Sequence, residues 1–304
     1  MDVLQAHLAR ARASGGAFAL SVTQPPWGLR LPGTIPLTVH AVIQGRMWLW
    51  LDDSRSPLEL APGDIALVRG GLDHFIAHEP NAACLRLEQF KARHGDDDRR
   101  PRGSANVFVC GAYVFSGDVG RGLLDALPPV LTLSAAANDP LHDIVGLLSS
   151  ELSNSAPGQQ TVLDRLLDIL LVLAIRASFE RSTHAPRWYQ ASADPRLGPA
   201  LTAMHADAAH AWTVPELAAL SRLSRAAFAR IFQLALGQAP MQYLTEWRMT
   251  LARDQLRAGE LTLAQIGART GYASPYAFAA AFRRHHGVPP GQWRQKHTTS
   301  PQAA

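Results

Sequence analysis

Hydrophobic residues recur with a helical period through the last third of the chain. Thr262 can cap a short helix, and Gly271 after it supplies the backbone freedom that a tight turn needs. Ser274 can cap a second helix, in which Phe278 and Phe282 lie four residues apart on one buried face. The pattern predicts two helices joined by a turn, a unit that can present one helix to a groove.

A similar pattern occurs about fifty residues earlier. Thr213 can cap a short helix, and Ser224 opens a second helix whose buried face carries Phe228 and Phe232. Between the two pairs, residues 241–257 place leucine and tryptophan side chains on one stripe, which predicts a long connecting helix. On the helix after Ser224, the candidate groove-facing positions are Arg225, Ala226, Ala229 and Arg230.

The charge distribution separates this region from the rest of the chain. Residues 195–304 contain 12 Lys and Arg against 5 Asp and Glu, whereas residues 1–194 contain 17 against 20. The basic part is therefore the part with the paired helices. This asymmetry favours contact with a polyanion such as nucleic acid.

The N-terminal part has a different pattern, with short β-rich or alternating runs between Pro, Gly and Asp turns. Such close spacing is typical of an all-β barrel or sandwich, and we predict a jelly roll. The predicted strands are 18–22, 37–43, 47–51, 65–68, 74–77, 83–87 and 106–113.

Two helical stretches follow the β-rich part. Residues 140–153 and 159–181 show helical periodicity, and the second carries apolar residues on more than one face, too many for one side of a small barrel. Residues 182–194 are polar and lack periodicity, which predicts a linker. The polar residues 93–104 predict a loop on the barrel, and residues 298–304 predict a disordered tail.

Residues 195–297 resemble the DNA-binding domain of the AraC/XylS family of bacterial transcription regulators. The resemblance implies two recognition helices, 224–234 and 274–284, that enter successive major grooves of double-stranded DNA about one helical turn apart. It also implies a homodimer through residues 159–181, with packing of both helix faces inside the monomer as the alternative, and RNA polymerase as a candidate partner. The matching residues are Ile266, Gly271, Tyr272, Ser274, Phe278, Phe282, Gly287, Pro289, Pro290 and Arg294.

The outer faces of the two helices depart from the family, because alanines occupy many positions where relatives often carry large polar or aromatic side chains. Alanine can contact thymine methyl groups, or can simply be a small exposed helix former. We expect Arg230 to contact a base, and Arg283 and Arg284 to contact phosphates or to remain solvated. The predicted DNA-binding residues are Arg225, Ala226, Arg230, Ser274, Pro275, Tyr276, Arg283 and Arg284.

Residues 63–78 resemble the second sequence motif of cupins, with Gly71 and His74 in step and with Arg69 and His78 in place of the usual proline and asparagine. The resemblance implies a cupin-type sensor domain, such as one subgroup of the AraC/XylS family carries. We expect a small effector in the barrel mouth. The two tryptophans of the predicted lining could instead belong to the core; that lining is His40, Trp48, Trp50 and His74.

Histidines of this domain raise the question of a metal, because imidazoles bind first-row metals. His74 and His78 would lie about 13 Å apart on an extended strand, too far for one ion. The first cupin motif is degraded, since His40 stands before Gly45 without a His-x-His pair or a Glu. We therefore predict no metal and no cofactor. The alternative function is a metal-dependent cupin enzyme fused to a DNA-binding domain.

The chain contains two cysteines, Cys84 and Cys110, too few for a disulfide framework. Cys110 lies in an apolar strand-like run, which is typical of an inert buried thiol. The alternative is redox sensing together with Cys84, since related sensor domains can respond to oxidants through cysteine. Reactivity needs a lowered pKa, and no Lys, Arg or His lies within five residues of Cys110, so a neighbour in space would have to supply it.

At 304 residues and 47% hydrophobic, the chain has room for two domains with separate cores. No apolar run reaches membrane length, and the N-terminus lacks the order of a secretory signal, so we expect a soluble cytoplasmic protein with no membrane partner. No nucleophile–base pair, phosphate loop or carboxylate pair has convincing spacing, so we expect no enzyme. A purely architectural DNA protein would have no use for a jelly roll.

These observations predict a one-component transcription regulator with a multidomain α and β fold. An effector or oxidant at the cupin-like domain would change how the DNA-binding domain is presented. The predicted organisation is a cupin-like sensor and dimerisation domain at 1–181, a linker at 182–194, a double helix-turn-helix domain at 195–297 and a tail at 298–304.

Overall fold

The chain forms two compact units. The β unit consists of Ala11–Phe115 and Leu124–Thr183, and the helical unit consists of Met1–Arg10, Ser116–Leu123 and His184–Ala304. The structure, a computed structural model, describes residues 2–8, 11–13, 19–52, 56–94, 105–115, 117–134, 140–153, 156–181 and 185–297.

In the described part of the chain, most strands come first and most helices follow. In order they are α1 (Val3–Leu8), β1 (Ala11–Ala13), β2 (Ala19–Thr23), β3 (Gly28–Leu31), β4 (Leu37–Gln44), β5 (Met47–Leu51), β6 (Leu58–Leu60), β7 (Asp64–Arg69), β8 (His74–Ala77), β9 (Leu85–Arg86), α2 (Leu87–His94), β10 (Asn106–Phe115), α3 (Gly117–Asp125), β11 (Val130–Ser134), α4 (Pro140–Ser153), α5 (Gln159–Arg181), α6 (Arg187–Ala193), α7 (Gly198–Ala206), α8 (Val214–Leu220), α9 (Arg225–Leu236), α10 (Pro240–Ala258), α11 (Leu263–Arg269), α12 (Pro275–His286) and α13 (Pro290–His297).

Two sheets make up the β unit. The first has the strand order β1, β10, β4, β7 and β11, with β2 also paired to β10, and the second has the order β6, β5, β8, β3 and β9. The pairs are antiparallel except for β3 with β9. Pairing of strands distant in sequence, such as β4 with β10, is typical of a jelly roll. The predicted cupin-like β fold is confirmed.

The core of the β unit follows from the two-residue alternation of its strands. Met47 and Leu49 of β5 are buried and pack in one cluster with Ile76 of β8 and Phe108 of β10. Full burial of each such side chain stabilises the fold by roughly 1.5–3 kcal/mol relative to exposure.

Helix α5 buries one of its two apolar faces within the β unit. Leu167 and Leu170 are buried, and the Tyr113 hydroxyl of β10 donates a hydrogen bond to the Leu167 carbonyl at 3.1 Å. The other face stays open, since Val162 and Ile169 are 43% and 46% exposed. The sequence predicts apolar residues on more than one face of α5. In the structure, one of these faces is buried in the β unit and the other remains exposed.

The helical unit contains the two predicted helix pairs, α8 with α9 and α11 with α12, joined by the long helix α10. Thr213 begins α8 with a capping box: its side chain accepts from the Glu216 N–H, and the Glu216 carboxylate accepts the Thr213 N–H. Phe228 and Phe232 lie in the core of the first pair, and Phe278 and Phe282 lie in the core of the second. The predicted C-terminal all-α domain is confirmed.

The division of the chain differs from the predicted boundaries in three places. Residues 187–193 of the predicted linker form α6, whose Ala191 is buried in the helical unit. Met1–Arg10 and Ser116–Leu123, predicted within the sensor domain, also belong to the helical unit. The apolar residues of such short segments can predict a buried face but do not show which unit covers it. Residues 95–104 of the predicted loop and the predicted tail 298–304 lie outside the described residues.

Candidate nucleic-acid interface

The two candidate recognition helices, α9 and α12, start in the same way. Ser224 precedes α9, and its side chain accepts from the Ala227 N–H at 3.2 Å. Ser274 precedes α12, and its side chain accepts from the Ala277 N–H at 3.1 Å. Each helix is 12 residues long and ends at a glycine. The two helices are therefore structural repeats of each other.

The buried faces fix the rotation of both helices about their axes. Phe228 and Phe232 are fully buried at the fourth and eighth positions of α9, with ring centroids 5.5 Å apart. Phe278 and Phe282 take the same positions in α12, with centroids 5.8 Å apart. Because the phenylalanines point inward, equivalent positions of the two helices point outward.

The outward face of α9 is partly basic. Arg225, Ala226 and Arg230 are exposed, as predicted for groove-facing positions, while Ala229 is half-buried. Gln233 is also exposed, three residues after Arg230 on the same side of the helix. Sequence reasoning missed Gln233, although its spacing from Arg230 was a usable signal.

The outward face of α12 combines an aromatic residue with two arginines. Tyr276 is 87% exposed, and Pro275, Arg283 and Arg284 are exposed as well. The Ser274 hydroxyl oxygen accepts one capping hydrogen bond, which leaves its proton and its second lone pair for a DNA contact. In the described part of the chain, no ion pair involves the arginines on the outward faces, which are Arg225, Arg230, Arg283 and Arg284.

Helix α10 ties the two helix pairs together. Leu244 is buried with the first pair, and Met249 and Leu256 are buried with the second. Arg248 donates hydrogen bonds to the carbonyl oxygens of Ala208 and His210, each at 2.7 Å. The predicted connecting helix is therefore present.

The β unit contains a buried polar group of side chains that we call the interior cluster: Thr38, His40, His74 and Cys110. The His40 Nε2 atom lies 2.9 Å from His74 Nε2, and its Nδ1 atom lies 2.9 Å from Cys110 Sγ. The Thr38 hydroxyl lies 3.3 Å from His74 Nε2. Burial lowers the pKa of His74 to about 4, and burial followed by the charge of His74 lowers the pKa of His40. Both imidazoles are therefore neutral near pH 7.

The structure brings His40 and His74 together but separates them from the two tryptophans of the predicted lining. Trp48 and Trp50 share the face of β5 opposite to buried Leu49, are half-buried, and Trp50 stacks on Phe75 with centroids 5.5 Å apart. The predicted four-residue lining is therefore not one pocket. The two-residue repeat of a strand places the tryptophans together, whereas His40 and His74 belong to different sheets and meet only because the two sheets pack against each other.

The two cysteines have different surroundings. Cys110 is buried in the interior cluster, and burial raises the pKa of its thiol. Cys84 is half-buried and donates to the Ala82 carbonyl at 3.3 Å, and burial raises its pKa as well. His40 is a spatial neighbour of Cys110, yet the pKa of the thiol stays raised, as expected for an inert buried thiol and not for a reactive one.

Comparison with known proteins assigns the chain to a family. A cupin family model matches residues 2–180, and a helix-turn-helix domain model matches residues 217–296. The chain is 33% identical over 99% of its length to an AraC-like transcription regulator of Streptomyces lividans, covering 100% of that protein. It is 32% identical over 96% of its length to one of Streptomyces antibioticus, covering 94% of it. The chain belongs to the AraC-like transcription regulators.

As an AraC-like regulator, the protein is a DNA-binding regulator of transcription. Residues 217–296, matched by the helix-turn-helix model, include both α9 and α12. One solved structure with a similar sequence is the DNA-binding domain of AdpA in complex with a target DNA. It is 30% identical, its match covers 34% of this chain and 93% of that one, and the TM-score is 0.32.

The described residues of this AraC-like regulator show neither a metal-ligand cluster nor a membrane-spanning helix. They contain no group of three or more His, Cys, Asp or Glu side chains suited to hold a metal ion. His40 directs its two ring nitrogens to two different partners, so the interior cluster does not converge on one point. None of the described helices is both long enough and apolar enough to cross a bilayer.

Proposed function

We propose that this AraC-like regulator reads a specific duplex with both helix pairs, α9 and α12 entering successive major grooves about one helical turn apart. One observation supports the proposal above all others. Both helices are capped by serine and bury phenylalanine at the same two positions, so two equivalent faces are exposed. A protein that used a single reading helix would have no need of the second face.

The outward side chains suggest separate roles in recognition. The Arg230 guanidinium can donate two hydrogen bonds to guanine, and the amide of Gln233 can pair with adenine in the same groove. Tyr276 extends from the first turn of α12 toward a base or sugar. Arg283 and Arg284 lie at the last turn of α12, where they can bind phosphates and fix the register.

The first prediction tests base reading by α9 in the full chain. A duplex is selected by the protein from a randomised library, and binding of each variant to it and to random duplex is measured across a range of salt concentrations. Arg230→Ala should weaken binding to the selected duplex by about 1–3 kcal/mol and spare random duplex, because a base contact carries sequence information. Gln233→Ala should act in the same direction.

The matched control is Arg86→Ala, which removes an exposed arginine from β9 of the β unit. Equal losses of Arg230→Ala on selected and random duplex would reassign Arg230 to a phosphate contact. A wild-type protein without any preference among duplexes, at any salt, would contradict sequence-specific reading.

The protein acts as a homodimer in this proposal, through the open face of α5. Val162, Leu166, Ile169 and Leu173 follow each other at helical spacing, with exposed or half-buried side chains. Leu147 of α4 adds an apolar side chain that is 53% exposed. A second copy would cover this stripe and present two DNA-binding units to repeated half-sites. RNA polymerase is a candidate further partner.

A small effector or an oxidant acts in the β unit, and the interior cluster is the place we assign to it. His40 and His74 lie with Thr38 in a largely apolar core, and the two imidazoles are joined by a hydrogen bond. A ligand that replaced this hydrogen bond would alter the packing of β4, β8 and β10. An oxidant would act on Cys110, whose thiol can donate a hydrogen bond to neutral His40.

The proposal includes no enzymatic activity. The relatives that match nearly the whole chain are AraC-like transcription regulators. The degraded first cupin motif also leaves His40 without the further ligands that a metal-dependent cupin enzyme would use.

A further inference from the structure

A short segment distant in sequence from both helix pairs is built into the helical unit. Residues 117–123 of α3, which we call the docking segment, belong to this unit, whereas Phe115 and Leu124 belong to the β unit. Val119 is 2% exposed and packs in one cluster with Ala6 of α1 and Trp247 of α10. The docking segment therefore contributes to the core of the helical unit.

The start of the docking segment is capped by a carboxylate of α10. Asp254 accepts the Asp118 N–H at 2.5 Å and the Val119 N–H at 3.4 Å. Gly117 has a φ of +79°, and a Cβ atom there would lie 2.5 Å from the Asp254 carboxylate. Glycine is thus required at position 117 both for its backbone conformation and for the close approach of Asp254.

The Asp118 carboxylate makes a second contact with α10. One oxygen lies 2.8 Å from Arg253 Nε, and the other lies 2.9 Å from an Arg257 nitrogen. The side chains are mostly buried, with 13% of Asp118 and 21% of Arg257 exposed, so solvent screens this pairing less than it would on the surface. Arg257 also lies 3.6 Å from Asp254. The four side chains form one charge network between the docking segment and α10.

The network continues to the second recognition helix. The Arg257 guanidinium lies over the Trp293 ring, 5.3 Å from its centroid, and Trp293 meets Phe282 of α12 edge to face at 6.2 Å. Phe282 lies on the buried face that sets the rotation of α12. At the end of α12, burial followed by the Arg253 charge lowers the pKa of His286 to about 4. Asp118 is thus linked to α12 through two arginines.

We propose that the docking segment is a positioning element for DNA reading, in which Asp118 holds α12 in its reading orientation through Arg253 and Arg257. The inference rests on the proposed function, in which α12 reads a groove. It adds a residue outside the helix pairs to the determinants of DNA binding. In the chain, the segment comes after β10, the strand that carries Cys110.

The docking itself is tested without DNA, by hydrogen exchange of the full chain. Asp118→Asn keeps the shape of the side chain and removes its charge, so exchange in residues 117–123 and in α12 should become faster. Asp143→Asn, an exposed carboxylate in α4, is the control and should change neither region. Unchanged exchange in α12 of the Asp118→Asn protein would overturn the positioning role.

The effect on reading is tested by footprinting a duplex that the wild-type protein has selected from a randomised library. Wild type should protect two segments, and Arg230→Ala marks the segment read by α9. Asp118→Asn should lose protection of the other segment and bind on the order of tenfold more weakly, with the α9 segment retained. Arg257→Gln, which removes the same ion pair from the other side, should give the same result.

The outcomes separate this inference from the function on which it rests. Two protected segments that are equal in Asp118→Asn and in the control would overturn the inference and leave two-groove reading intact. Loss of protection at both segments in Asp118→Asn and in Arg257→Gln would show that the network holds the fold of the whole helical unit. This result would also overturn the positioning role. A wild-type footprint of one segment would overturn two-groove reading and the inference together.

Discussion

At the scale of single residues, buried histidines are a recurrent feature of both units. His40 and His74 lie in the core of the β unit. In the helical unit, His7 stacks on Trp188 with centroids 4.2 Å apart and lies 5.6 Å from His205. Burial lowers the pKa of His7 to about 4 and that of His205 to about 3. These imidazoles pack favourably in the folded protein only while they are neutral, because burial disfavours their charged form.

The second prediction is an acid-sensitive fold. A histidine with a lowered pKa in the folded state binds fewer protons than the unfolded chain between pH 6.5 and about 4. Stability should therefore be complete above pH 6.5 and fall as the pH drops to about 4, by up to about 1.4 kcal/mol per pH unit for each such group. Thermal unfolding of the full chain across this range measures the effect.

The His74→Gln protein should lose less stability over the same pH range than wild type. It lacks one of the side chains that bind a proton more readily in the unfolded chain than in the folded protein. Replacement of His142, which is exposed in α4, serves as the control. A His74→Gln protein with the same pH dependence as wild type would contradict the assignment.

At the scale of elements, helix α5 has one apolar face in the core of the β unit and another apolar face at the surface. Leu163, Leu167 and Leu170 are buried in the β unit, and the stripe from Val162 to Leu173 is left at the surface. Residues of that stripe are spaced by three and four, so they form one continuous face. A face of this kind, exposed on a long helix, is suited to an isologous contact with a second copy.

The third prediction is that Ile169→Asp converts the full chain from a dimer to a folded monomer. A charge at the centre of the stripe would be desolvated in a dimer but remains hydrated in the monomer, where Ile169 is 46% exposed. Sedimentation and circular dichroism report the mass and the fold. Leu72→Asp, at a residue that is 40% exposed elsewhere in the β unit, should remain dimeric. A wild-type protein that sediments as a monomer at micromolar concentration would remove the dimer proposal.

At the scale of the whole molecule, the interior cluster and the two helices that we propose for DNA reading lie in different units. The interior cluster belongs to the β unit, and α9 and α12 belong to the helical unit. The charge follows the same division, because residues 195–304 carry 12 Lys and Arg against 5 Asp and Glu. A response of DNA binding to a change at the interior cluster would show that the two units are coupled.

The fourth prediction measures this coupling through the cysteines. If an oxidant is the signal, hypochlorite or peroxide should change the affinity of the full chain for its selected duplex. Cys110→Ser should abolish the response, because Cys110 adjoins His40, and Cys84→Ser should weaken it. If the double serine protein responds as wild type does, the oxidant acts elsewhere. In that case a small organic effector at His40 and His74 becomes the signal to test.

The sequence by itself determined the elements whose reasons are local. The caps at Thr213, Ser224, Thr262 and Ser274 and the four-residue spacing of Phe278 and Phe282 predict the two helix pairs, because capping and amphipathicity act within one or two turns. The same local rules fixed which side of α9 and α12 faces outward. The strand alternation predicted the β fold in the same way.

The tertiary structure alone decided what depends on contacts between distant positions. Cys110 meets His40 only because β10 pairs with β4. Trp48 and Trp50 are separated from His40 and His74 because they take the opposite face of their sheet. The segment at 117–123 has Val119 and Leu123 at helical spacing. Its role nevertheless follows from a glycine and an aspartate that fit residues of α10 more than a hundred positions away. No local pattern encodes such a pairing, because the stabilising partner is absent from the local sequence.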